Sequence, residues 1–305
     1  MAGGFPTETR GNGLTGTVPI LFAAALFAYF VSMVPTIAAT DIIRVSIPWV
    51  PSLGIEFAFL VDGLSLTFSL LISGIGTLVL LYSNTYLAGH PQYARFALFL
   101  TAFMVSMLGL VLSDDLILLF VFWELTTITS YMLIGFSHES EKSRRNALQA
   151  LFVTGAGGLA FLAGLILLAA VSGTTSISGI IGQGSALKEH AMYLPILILL
   201  LAGTFTKSAQ APFHFSLPNA MAAPTPVSAF LHSATMVKAG IYVMARMHPA
   251  MSGTDVWLWT LTIFGAVTAI FASLLALRQT DLKQALAYTT LMALGTLTLF
   301  LGQES

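Results

Sequence analysis

Long apolar runs broken by short polar intervals dominate the chain. A helix needs about 20 mostly apolar residues to cross the hydrocarbon core of a bilayer. Nine runs meet that length and predict helices at 17–35, 60–83, 94–113, 115–136, 147–171, 192–208, 226–247, 256–277 and 284–301. Polar residues gather in the connections, most of them short. The longer ones are 36–59, where Trp49 beside Pro48 suits an interfacial anchor, and 172–191, whose Gly and Ser predict a surface loop. The pattern predicts an all-α polytopic membrane protein, with a polar segment over 1–16 and a transmembrane domain over 17–303. No small-residue cleavage site follows the first apolar run, so the first helix is expected to stay.

One stretch breaks the pattern. Residues 209–226 hold Pro212, Pro218, Pro224 and Pro226 among apolar neighbours. Proline removes a backbone donor and clashes with the preceding turn, and in lipid the freed carbonyls need protein partners or a wet cavity. This predicts a discontinuous helix near 205–222, of the kind that lines ion sites in transporters; a plain re-entrant connector is the competing reading.

Composition narrows the function. Of 305 residues, 56% are hydrophobic and only 8% charged, against roughly 25% charged in soluble domains. Lipid must be the solvent for most of this surface. A net charge of −1 argues against nucleic acid, which requires clustered Lys and Arg. There are no cysteines, which excludes disulfides, thiol catalysis and Cys-ligated metals. No nucleotide loop, zinc motif or hydrolytic triad is present. With the N-terminus in the cytoplasm, the inner segments hold Arg10, Arg95, Lys142, Arg144, Arg145, Arg278 and Lys283, and the outer ones Arg44, Lys188 and Arg246. This obeys the positive-inside rule.

Four ionisable residues of the predicted spans are candidates for chemistry. Glu124 lies near the middle of LLFVFWELTTITSYMLIGF, where a charge costs at least ~3 kcal/mol on insertion scales. It must face the bundle interior, meet a cation or stay protonated, and each option suits a proton carrier; a structural hydrogen-bonding Glu is the plainer alternative. Lys207 precedes the proline-rich stretch; it is a candidate for reversible protonation or a snorkelling lysine. Lys238 is placed mid-helix, with His232 six residues earlier and about 120° around the helix. Histidine suits a proton relay but is as often structural. Asp62 reads as a helix cap, Asp114 and Asp115 as a turn in water, and GAGGLA at 155–160 as close helix packing.

Several runs resemble a known family. VDGLSL (61–66), LFVFWELTTITSYMLIGF (119–136), GTFTKSAQAPFHFSLPNAMAAPTPVSAFLHSATMVKAGIYVMAR (203–246) and DLKQALAYTT (281–290) are similar to the antiporter-like proteins. These comprise the A and D subunits of Mrp-type sodium/proton antiporters and the large proton-pumping membrane subunits of respiratory complex I. LLISGIGTLVLLYSNTYLAGHPQ (70–92) and HSATMVKAG (232–240) look most like the Mrp A subunit. The resemblance implies two inverted five-helix repeats, each with a broken helix and a half-channel. It implies a proton relay of Glu124, Lys207, Lys238 and His232, with Lys207 pairing with Glu124.

On that resemblance, 94–247 is a complete first repeat and 256–303 part of a second. The chain is expected to lack the family's first helix and to stop after its tenth. The implied function is proton translocation within a multisubunit antiporter exchanging Na+ or another monovalent cation in a prokaryotic plasma membrane. Its partners would be the lipid bilayer and the other subunits, with no organic cofactor, no metal and no enzymatic step of its own. Two alternatives stand: a membrane subunit of a quinone-linked oxidoreductase or related hydrogenase, and a structural subunit that carries no ions.

Overall fold

The computed structural model describes residues 13–39, 42–221, 223–233 and 235–303. Most of the expected N-terminal polar segment, residues 1–12, lies outside them. In chain order the elements are α1 (Gly13–Ala38), β1 (Ile43–Val50), β2 (Ile55–Val61), α2 (Gly63–Tyr86), α3 (Tyr93–Leu112), α4 (Leu116–Ile134) and α5 (Glu141–Ser172). Two short helices follow, α6 (Ile177–Ile181) and α7 (Gly184–Glu189). Then come α8 (Tyr193–Lys207), α9 (Ser216–Ala220), α10 (Thr225–Ser233), α11 (Lys238–Met251), α12 (Asp255–Ala276) and α13 (Leu282–Gly302). Seven of these helices, α1 to α5 with α12 and α13, are long and apolar enough to cross a membrane.

Side-chain caps set most of the long helix starts. Asp62, Asp115, Ser140, Thr254 and Asp281 each accept a backbone N–H of the first turn of α2, α4, α5, α12 and α13. Such caps satisfy donors that an apolar environment would leave bare.

The discontinuous helix is present. α8 ends at Lys207, the chain turns through Ala209 in the left-handed region (φ 51°), and a short turn at Phe213–Phe215 leads into α9. Left-handed backbone costs an alanine roughly 1–2 kcal/mol, so the surroundings must hold it. The Gln210 N–H bonds to Phe205 O at 3.0 Å, and the Ala211 N–H donates to Thr268 Oγ1 of α12 at 2.9 Å.

Four expectations need correction. The chain is not all-α: β1 and β2 form an antiparallel hairpin registered from Ile43 opposite Val61 to Val50 opposite Ile55. The alternation Ile43, Val45, Ile47 carries a strand signal, and Pro48 is tolerated beside the register irregularity of a two-stranded sheet. The 172–191 segment is not a plain loop, because Ile177, Ile180 and Leu187 bury themselves under α6 and α7. The expected helix 226–247 is two helices, α10 and α11, and Thr235, between them, donates its Oγ1 hydroxyl to Phe230 O at 2.6 Å. Finally, Asp114 and Asp115 are 2% exposed rather than in water. Asp115 caps α4, while Asp114 accepts from the N–H and hydroxyl of Ser178 at 2.9 and 2.8 Å and pairs with Arg44 at 3.4 Å.

A buried polar cluster ties α2, α3 and α11 together at the hairpin end. Arg246 grips both oxygens of Asp62, at 2.5 and 2.9 Å, and donates to Tyr242 Oη, which donates to Val111 O at 2.6 Å. Asp62 also forms a capping box with Ser65. Burial pushes the Asp62 carboxyl up, but the Arg246 hydrogen bonds, the Ser65 N–H and the Arg246 charge together hold it at about 2, below its ordinary 3.8.

A depressed carboxyl stabilises the fold above its unfolded-state value and loses that contribution as pH falls through the folded value. The pair therefore contributes fully at pH 7 and is lost between about pH 4 and pH 2. Asp62→Asn should remove about 2 kcal/mol at pH 7 and flatten the stability profile in that acid window. Thermal unfolding in detergent across the pH range measures both; identical profiles for the two proteins would show that the pair contributes no stability.

Candidate functional site

Lys207 is the last residue of α8 and is 1% exposed. Its position at a helix C-terminus is favourable for a cation, but an ammonium without water needs acceptors. Two come from α4: Nζ donates to Trp123 O at 3.1 Å and to Thr127 Oγ1 at 2.7 Å, and stands 5.0 Å from the centre of the Trp123 ring. Trp123 is fully buried and stacks on Phe161 of α5 at 4.4 Å.

Glu124 follows Trp123, eight residues along α4 and so about 12 Å from its start, within a hydrocarbon core about 30 Å thick. Its Oε1 is buried and has no hydrogen-bond partner. Glu124 and Lys207 do not form a direct ion pair within 4 Å. Among the described residues the ion pairs within 4 Å are Arg44–Asp114 and Arg246–Asp62. Lys207 instead meets the α4 backbone at the carbonyl of the preceding residue, Trp123. The GAGGLA run of α5 packs here: a Cβ on Gly157 would collide with Thr206, and one on Gly158 with Glu124 Oε1.

His232, on α10, is 2% exposed, and neither ring nitrogen has a hydrogen-bond partner. It shares a cavity with Lys207, Thr206, Thr154 and the α9 residues Ser216 and Leu217. The cavity is about 10 Å³, close to the least that holds one water. Lys238 occupies the first turn of α11 and is half-buried. It is not in that cavity's wall, although Met236 and Val237 are. The geometry therefore brings Lys207 and His232 to one cavity, sets Glu124 next along α4 from the Trp123 carbonyl that Lys207 bonds, and leaves Lys238 on the far side of the α10–α11 break.

Two participants escaped the sequence reading. Lys283, which the sequence marks only as an inner charge, donates to Met221 O at 3.1 Å and Ala223 O at 2.9 Å, the carbonyls freed after α9. Its signal was the break itself, because carbonyls released by prolines call for a donor. Gln210 is fully buried beside the break, with Oε1 unpartnered. Among the described residues no three His, Asp or Glu side chains gather as a metal ion would need.

Residues 113–305 match a family model described as NADH:quinone oxidoreductase/Mrp antiporter, TM, and residues 47–97 one described as NADH-ubiquinone oxidoreductase (complex I), chain 5 N-terminus. The chain is 50% identical over 292 residues to the A subunit of the Na(+)/H(+) antiporter of Alkalihalophilus pseudofirmus, covering 95% of this chain and 36% of that protein. It spans about a third of the length of the curated relatives it matches. A solved Mrp complex from Dietzia contains a chain similar to it with a TM-score of 0.81 and 35% identity, over 95% of this chain and 34% of that one. A chain of an archaeal membrane-bound sulfane sulfur reductase has the same fold, with a TM-score of 0.85 at 23% identity, over 96% of this chain and 60% of that one. The chain thus belongs to the NADH:quinone oxidoreductase/Mrp antiporter transmembrane family.

Proposed function

We propose that these residues form the proton half-channel of one component of a multisubunit Na+/proton antiporter in a prokaryotic plasma membrane. The observation that carries the reading is Lys207, an ammonium fully buried at a helix break and bonded to the turn that holds Glu124. Protons pass among Glu124, Lys207 and His232, with Lys238 beyond the second break as the next station. The chain crosses the bilayer nine times: seven long helices, the α8–α9 pair and the α10–α11 pair, with the first repeat over 94–247 and part of the second over 256–303. The positive-inside count puts Arg95, Lys142, Arg144 and Arg145 in the cytoplasm, and the hairpin end outside. The other antiporter subunits cover the remaining faces and supply the cation route. The likeness to the A subunit of an Na(+)/H(+) antiporter and to a chain of an Mrp complex favours exchange over quinone-linked pumping.

Glu124→Gln is expected to abolish cation/proton exchange by the complete complex while leaving its protein level nearly unchanged. Everted vesicles with a pH-sensitive dye measure the first and immunoblotting the second. Normal exchange by a well-assembled variant would remove Glu124 from the path.

Lys207→Met strips the α4 turn of its buried cation and should lower the amount of assembled complex. Adding Glu124→Gln should recover assembly, but not exchange, because neighbouring buried charges couple by roughly 0.5–3 kcal/mol. Strictly additive losses of assembled complex, read by native gel, would show that the two groups do not share a field.

A further inference from the structure

The α4–α5 contact leaves two buried polar atoms without partners, a donor and an acceptor: Trp123 Nε1 and Glu124 Oε1. Both face one spot. A Cβ built on Gly158 would collide with Glu124 Oε1 and lie 3.7 Å from Trp123 Nε1. An unpaired donor and an unpaired acceptor are each costly to bury; the two are not bonded to each other in the structure, and a swing of the Glu124 carboxylate across the open space at Gly158 to the indole N–H removes both costs. The other side of the same indole is also engaged. Lys207 sits over the ring at 5.0 Å and bonds to the Trp123 carbonyl, while Phe161 stacks on the ring at 4.4 Å and fixes its plane. An aromatic ring is negative on its face and positive at its edge, so a cation over the face and a carboxylate at the N–H edge each meet the complementary part of one side chain.

We propose that Trp123 is a positioning residue of the relay, its indole N–H receiving the charged Glu124 carboxylate across the notch left by Gly158 while Lys207 stays on its face. The ring keeps the two charges apart, in each other's field but out of direct contact, so that each remains free to take up and release a proton. Gly158 is the permissive half of the arrangement, since any side chain there occupies the carboxylate's place. This rests on the proton-relay reading above, but the hydrogen bond is testable without it.

The test uses the complete complex in lipid and infrared difference spectroscopy. The Glu124 carboxyl and carboxylate bands are identified by their loss in Glu124→Gln. Replacing Trp123 by benzothienylalanine keeps the ring shape and removes only the N–H donor; Trp123→Phe is the encoded counterpart, and Gly158→Ala fills the notch. Each should shift the Glu124 bands away from their hydrogen-bonded positions. Exchange should fall roughly ten-fold at unchanged complex level, the effect of one lost hydrogen bond to a charged group. Glu124 bands that stay in place in the benzothienylalanine and Gly158→Ala proteins would overturn the proposal, even with exchange still dependent on Glu124. Shifted bands with exchange indifferent to Glu124→Gln would leave the hydrogen bond standing and sink the relay reading instead.

Discussion

An ammonium with 1% exposure, inside a bundle whose outer surface is apolar, must be solvated mainly by protein. Much around Lys207 follows from that. α8 ends at the lysine itself, where the negative end of the helix dipole favours a cation. α4 must bring a hydroxyl and a carbonyl to the same point. α5 must come close enough to close the site, which requires Gly157 and Gly158, where side chains would strike Thr206 and Glu124. Burying one charge thereby dictates the spacing of three helices.

The second constraint is the backbone. Two broken helices in an apolar bundle release donors and acceptors that lipid cannot satisfy. α12 and α13 supply much of the missing partnership. Thr268 accepts the Ala211 N–H, Lys283 donates to Met221 and Ala223, and Gln284 donates to Pro218 O at 3.3 Å. From the other side, Asn146 of α5 donates to Asn219 O at 2.9 Å. The short α9 is held almost wholly by side chains from other helices.

Where polarity was expensive, the site was legible in the sequence. Glu124 and Lys207 stood out because their surroundings offer no water, and the α8–α9 discontinuity because four prolines punctuate an apolar run. The α10–α11 break carried no such mark: neither Pro nor Gly lies between Phe230 and Lys238, and Thr235, whose hydroxyl donates to Phe230 O, looks like any helical threonine in a sequence. The hairpin was hidden because period-two alternation over Ile43–Ile47 is short and sits in an apolar background that blurs it. Asp114 read as a solvated turn because its partners, Ser178 and Arg44, are remote in sequence. Lys283 was obscured likewise, with its acceptors 60 and 62 residues away.

The cluster of Asp62, Arg246, Tyr242 and Val111 clamps only one side of the α10–α11 break. α11 is riveted to the start of α2 by charge-assisted bonds and to α3 by the Tyr242 hydroxyl, whereas α10 joins their neighbourhood through apolar packing such as Phe230 against Phe103. A rod jointed in the middle and anchored at one end transmits displacement only to its free arm. That arm carries His232 and forms one wall of the cavity it shares with Lys207. Any flexing of the joint therefore changes the width of that cavity, and with it whether a water fits between the two groups.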